Sequence, residues 1–79
     1  MPDARIDITR EICPMTYVRV KLALEGLPDG AVLEVRLKGA EPLKNVPRSA
    51  KEDGHEVLSL DALDDGTSRL VLRAHHPEP

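Results

Sequence analysis

The sequence predicts an α+β fold: a two-layer sandwich in the order β-α-β-α-β-β, with two helices on one face of a mixed four-stranded sheet. Three observations carry this reading. Apolar and charged residues alternate over residues 31–38, the period-2 pattern of a strand with one face in water. Apolar positions recur at helical spacing through residues 15–27 and again through residues 43–50. Two further β-rich stretches, residues 56–60 and 68–74, flank an Asp64-Asp65-Gly66 turn signal and read as an antiparallel pair.

Taken in order, residues 1–4 are expected to fray, and residues 5–9 form a short strand with Ile6 and Ile8 inward. Arg10-Glu11-Ile12 connects it to the first helix. Proline suits the first helical position, because its φ is already right and its missing N–H would have no partner there. Pro14 therefore starts the helix and Cys13 takes the N-cap, with Gly26 closing the far end. Tyr17, Val20, Leu24 and Leu27 lie on one helical face, with Ala23 beside them, and should point to the core. Met15, Val18 and Leu22 form a second apolar stripe. A two-layer domain buries one broad face of a helix. The second stripe is then either an exposed docking surface near Cys13 or partly buried between the helices.

Pro28-Asp29-Gly30 reads as a turn. In the next strand Ala31, Leu33, Val35 and Leu37 point inward, and Glu34, Arg36 and Lys38 point to water. Gly39 to Pro42 opens the second helix, whose narrow apolar stripe is Leu43, Val46 and Ala50, with Gly54 as its C-terminal cap. Pro47 lies inside and should kink or divide that helix at Val46. The first two strands are expected to be parallel across a helical crossover. Residues 75–79, His75-His76-Pro77-Glu78-Pro79, read as a loose tail. The whole chain, residues 1–79, is expected to form one domain with an ordered core of about residues 5–74.

Composition narrows the function classes. A single cysteine can form no internal disulfide, and no paired cysteines at zinc spacing occur. The first residues lack an apolar stretch behind a basic start, and no window approaches a membrane span, so a cytoplasmic protein is expected. The formal net charge is −3 and Tyr17 is the only aromatic residue among Phe, Trp and Tyr. Both features argue against nucleic-acid binding and against an aromatic-lined small-molecule pocket. Lys44, Arg48 and Lys51 on the second helix read as a solvated face. His55 reads as a surface or capping side chain. His75 and His76 have no third ligand beside them, so no metal or cofactor is expected.

The chemistry then rests on Cys13. A lone cysteine is ordinarily a small packing residue. At a helix N-cap, however, free N–H groups and the positive end of the dipole stabilise an anion. A thiol there should ionise below its usual value of about 8.5. Arg10 and Arg19 flank it in sequence, either adding positive charge or bridging surface carboxylates.

Asp7, then Cys13-Pro14 opening a helix, a strand, a Pro-interrupted helix ending in Gly54-His55, and a terminal strand pair together resemble the TusA (SirA-like) sulfur-carrier family. The resemblance covers about residues 5–74. It implies a cysteine that carries persulfide sulfur between a donor, such as a cysteine desulfurase or rhodanese, and an acceptor protein. Carried onto this chain, that cysteine is Cys13 and the helix-starting proline is Pro14. The family hallmark is Cys-Pro-x-Pro; Thr16 stands here in place of the second proline, and Arg10 replaces a common glycine. Cys13-Pro14-Met15-Thr16 therefore looks like a branch of the family. Partner contacts are expected at Met15, Thr16, Val18, Arg19 and Leu22, on a monomeric carrier rather than a stand-alone enzyme. The alternative is a non-catalytic interaction or regulatory module, RNA-linked by analogy with the strand-helix order of a bacterial translation initiation factor domain. An exposed thiolate could also act as a redox sensor, with a partner thiol to resolve it.

Overall fold

The computed structural model describes residues 2–10 and 15–76, the side chains of Met15 and Thr16 excepted. Its elements are β1 (Ala4–Asp7), α1 (Met15–Glu25), β2 (Val32–Leu37), α2 (Ala40–Glu52), β3 (Glu56–Ala62) and β4 (Ser68–Arg73). The four strands form one sheet in the order β1-β2-β4-β3. β1 runs parallel to β2, while β4 is antiparallel to both β2 and β3. The last strand of the chain thus lies in the middle of the sheet, between β2 and β3.

Alternation makes the sheet two-faced. On one face Leu33, Val35 and Leu37 of β2 and Leu70 and Leu72 of β4 are fully buried. Val20 and Leu24 of α1 and Val46 and Ala50 of α2 are equally buried and pack in the same cluster. On the other face arginines and carboxylates pair across neighbouring strands: Arg5 with Glu34, Arg69 with Asp61 and Arg73 with Glu56, at 3.5–3.8 Å. Such exposed pairs contribute about 0–1 kcal/mol each and leave this face in water. The two-layer arrangement with both helices on one face is as the patterning predicts.

The boundaries differ in instructive ways. β1 starts at Ala4 and ends at Asp7, not residues 5–9, and residue 3 is not frayed. Asp3 N–H donates to the Val32 carbonyl at 2.8 Å, and its carboxylate accepts from Val32 N–H at 2.7 Å. Ile8 is buried as expected, but it lies beyond the strand. β3 continues to Ala62, with a bulge between Val57 and Ser59 that breaks its simple alternation. Pro47 does not divide α2, which runs as one 13-residue helix. Its missing N–H removes one bond to the Leu43 carbonyl, yet Val46 and Ala50 are both buried and hold the turns on either side.

α2 ends as Gly54 predicts. Gly54 N–H donates to the Lys51 carbonyl and His55 N–H to the Ala50 carbonyl, both at 3.0 Å, with Gly54 at φ +93°. This is a Schellman closure, which needs a left-handed residue after the cap. One side-chain bond then ties the two helices together. The Tyr17 hydroxyl, in the first turn of α1, donates to Asp53 Oδ2 at 2.5 Å, at the C-terminal cap of α2. Partial burial of the phenol, the bond to Asp53 and the charges of Asp53, Glu25 and Glu52 push the Tyr17 pKa far above its ordinary 10.0.

Two measurements check these features. An added Cβ at Gly54 meets nothing within 4 Å, so the cost of Gly54→Ala is conformational alone, about 1–2 kcal/mol in denaturant unfolding. Gly26→Ala, whose Cβ makes ordinary contact with the Ala23 carbonyl at 3.6 Å, should be tolerated. Ultraviolet absorbance follows Tyr17 without overlap from Trp or another Tyr. The phenol should remain protonated at about pH 10, where free tyrosine is half ionised. Asp53→Asn should bring the titration part of the way back, and an unshifted wild-type titration would contradict the bond.

Candidate functional site

The approach to the predicted site is built from the end of β1. Asp7 Oδ1 accepts from Thr9 N–H at 2.9 Å and from the Thr9 hydroxyl at 2.7 Å, closing a short Asx-type turn. Those two bonds, and then the positive charges of Arg36 and Arg10, hold the Asp7 carboxyl below the usual carboxylate range. Ile8 is fixed on both counts: its N–H donates to the Arg36 carbonyl at 2.9 Å and its side chain is buried. The chain is therefore anchored against β2 just before the Cys13 segment.

Cys13 and Pro14, the predicted thiolate and helix-starting proline, lie outside the described residues, as do Glu11 and Ile12. The first described helical residue is Met15, which follows Cys13-Pro14 directly in the chain. Met15 and Thr16 occupy its first two positions.

The helix divides as its periodicity predicts. Val20 and Leu24 are fully buried, and Tyr17, Ala23 and Leu27 pack against the core from its margin. The second stripe turns outward: Val18 is 41% exposed and Leu22 60% exposed. Of the two readings left open for that stripe, the exposed one holds at these positions. Arg19 and Lys21 are also exposed, so α1 presents an apolar strip edged with positive charge.

The other candidates sort clearly. Lys44, Arg48 and Lys51 are exposed, and Arg48 pairs with Glu52 one turn on at 3.6 Å, as befits a solvated face. The His55 side chain is half-buried and is not the cap, since the closure of α2 uses its backbone N–H; its ring is part of something the sequence did not reveal. His75 and His76 are not a loose tail. They fold back against His55, and the three line a cleft of about 270 Å³ with Lys21, Glu25 and Asp53. His76 reaches the Leu24 carbonyl, nine positions along α1 from Met15 and so roughly 13 Å along the axis. The only sequence hint was that carbonyls at a helix end need partners. Among the described residues no group of three or more His, Cys, Asp and Glu could hold a metal ion. No helix among them is long and apolar enough to cross a membrane.

Comparison with known proteins accords with this geometry. The family model described as Sulfurtransferase TusA matches residues 4–74. A candidate sulfur carrier protein of Archaeoglobus fulgidus is 38% identical over 68 residues, covering 86% of this chain and 77% of that one. A candidate sulfur carrier of Methanocaldococcus jannaschii is 37% identical, over 87% of this chain and 91% of its own. The candidate sulfur carrier YedF of Escherichia coli K12 is 32% identical, over 92% and 94%. Among solved structures, the crystal structure of the SirA-like protein from Desulfitobacterium hafniense superposes with a TM-score of 0.79 at 24% identity. The match covers 92% of this chain and 99% of that one, and it shows the shared fold. With its fold, its helix following Cys13-Pro14 and a family match over nearly its whole length, the chain belongs to the TusA sulfurtransferase family.

Proposed function

We propose that this chain is a cytoplasmic, single-domain sulfur carrier that holds persulfide sulfur on Cys13 and hands it from a donor protein to an acceptor. The observation that carries the reading is the family match across residues 4–74, a span that includes the chain's one cysteine. Relatives that are themselves candidate sulfur carriers support it. The Cys13-Pro14-Met15-Thr16 segment, with Thr16 for the second proline, marks it as a branch of the family.

The chemistry asks little of the protein. The Cys13 thiolate attacks the terminal sulfur of a donor persulfide. The new Sγ–S bond forms as the donor's S–S bond breaks, and the donor leaves as a thiolate. An acceptor thiolate then attacks the same sulfur and Cys13 departs in turn, so no external oxidant or reductant is consumed. Both steps favour an anion on Cys13. Unpaired N–H groups in the first turn of α1 would stabilise it, with Pro14 setting the entry to the helix. No general base need be held beside it.

The carrier must also be grasped. Val18 and Leu22, with Arg19, Met15 and Thr16, form the surface a donor such as a cysteine desulfurase or rhodanese would cover. That strip continues the helix that starts next to Cys13, so a protein docked on it lies alongside the thiol.

Intact mass after incubation with a desulfurase and cysteine, or a rhodanese and thiosulfate, tests the reading. Wild type should gain one sulfur atom and Cys13→Ser none; wild type left unmodified by competent donors would overturn the assignment. Leu22→Glu should slow loading roughly tenfold, the loss expected for a contact residue worth more than about 1 kcal/mol. Circular dichroism should be unchanged, because Leu22 is 60% exposed.

A further inference from the structure

The segment after β4 is fastened in two different ways. Ala74 is held by backbone bonds alone: its N–H donates to the Ala31 carbonyl and its own carbonyl accepts from Gly30 N–H, both at 2.8 Å. The two residues beyond it are held through side chains that titrate. His75 N–H donates to His55 Nδ1 at 3.0 Å, and His76 N–H donates to Asp29 Oδ1 at 2.9 Å. The His76 ring stands edge-on to His55, with centroids 5.7 Å apart, and its Nε2 lies 2.9 Å from the Leu24 carbonyl.

These contacts respond differently to a proton. A backbone N–H can only donate, so the bond from His75 requires a bare Nδ1 on His55, with the ring proton on Nε2. A protonated His55 would set N–H against N–H. Neither neighbour has that conflict. The Leu24 carbonyl accepts from His76 Nε2–H whether that ring is neutral or charged, and the end of a helix favours a cation. His75 Nδ1 lies 3.2 Å from Asp29 Oδ1, a contact that protonation strengthens. Asp29 is ready for it, since the bond from His76 N–H, followed by the histidine charges, holds its carboxyl below the usual range.

We propose that His55 is a proton-operated catch for the strap His75-His76, closed while the imidazole is neutral and released when it gains a proton. Five charged or titratable side chains face His55 or share its cleft. Asp53 at the end of α2 and Glu25 of α1 favour the cation; His75 and His76 oppose it; Lys21 lines the same cleft. Burial is the largest influence, and the His55 pKa falls below its ordinary 6.5. The catch is therefore fully closed above that ordinary value and opens as pH falls through it toward the lower pKa of the closed form. Release parts His75 N–H from His55 Nδ1, while His76 keeps its bonds to Asp29 and to the Leu24 carbonyl, which a proton does not oppose. Ala74 stays in place, because its bonds carry no titrating group.

Amide hydrogen exchange followed by NMR between about pH 8 and pH 5, the range in which histidine switches, tests the catch. After correction for intrinsic exchange, His75 should lose protection as the His55 ring titrates, while His76, bonded to Asp29, should keep its own. The loss should be roughly tenfold for each unit by which the His55 pKa is lowered. Ala74 and Gly30 should keep their protection throughout. His55→Asn retains an acceptor where Nδ1 stood but cannot titrate, so its strap should stay protected across the range. His55→Ala should leave the His75 N–H unprotected at every pH. Wild-type protection at His75 that does not change with pH would overturn the proposal. So would a His55→Asn protein that loses protection over the same range as wild type.

Discussion

Leu33, Val35 and Leu37 of β2 and Leu70 and Leu72 of β4 lose all contact with water on one face of the sheet, and the rest of the molecule is arranged to make that possible. Each such side chain stabilises the fold by about 1.5–3 kcal/mol relative to exposure. The opposite face of the same strands carries Glu34, Arg36, Arg69 and Arg73, and burying those charges would cost more than the apolar face gains. Helices can therefore cover one side only. β2 and β4 occupy the two central places because they carry the most complete inward rows; β1 and β3, shorter or bulged, take the edges.

That constraint also decides what α1 can offer. One face of the helix is consumed by the core through Val20 and Leu24, while α2 supplies Val46 and Ala50 beside it. Val18 and Leu22 lie off that face and stay at the surface. The helix is fixed by its inner face, so covering its outer face would leave the fold undisturbed.

Polar bonds complete the ends that the core leaves open. Tyr17 reaches from the first turn of α1 to Asp53 at the end of α2, and the Gly54 closure satisfies the last carbonyls of α2. His76 reaches the Leu24 carbonyl near the end of α1. The Gly54 closure and the His76 bond meet the demand that carbonyls at a helix end find partners, and the Tyr17 bond joins the two helices through side chains. Apolar packing holds the middle of the helices, and hydrogen bonding fixes where they stop.

Periodicity made the elements legible. Alternation in residues 31–38 and helical spacing in residues 15–27 are local properties, and they named the buried side chains of β2 and α1 residue by residue. Gly54 was legible for the same reason, since a left-handed cap is a demand of the backbone at one position. Cys13 stood out as the one thiol, directly ahead of a proline, and the family match over residues 4–74 agrees with the resemblance built on that pair. Three things needed the tertiary structure: the central place of β4, the outward turn of Val18 and Leu22, and the gathering of His55, His75 and His76. The histidine segment reads as a polar tail because its partners, His55, Asp29 and Leu24, lie 20, 47 and 52 positions away. A pattern records which face of an element is apolar, and it carries no information about which distant groups the folded chain will set within hydrogen-bonding reach.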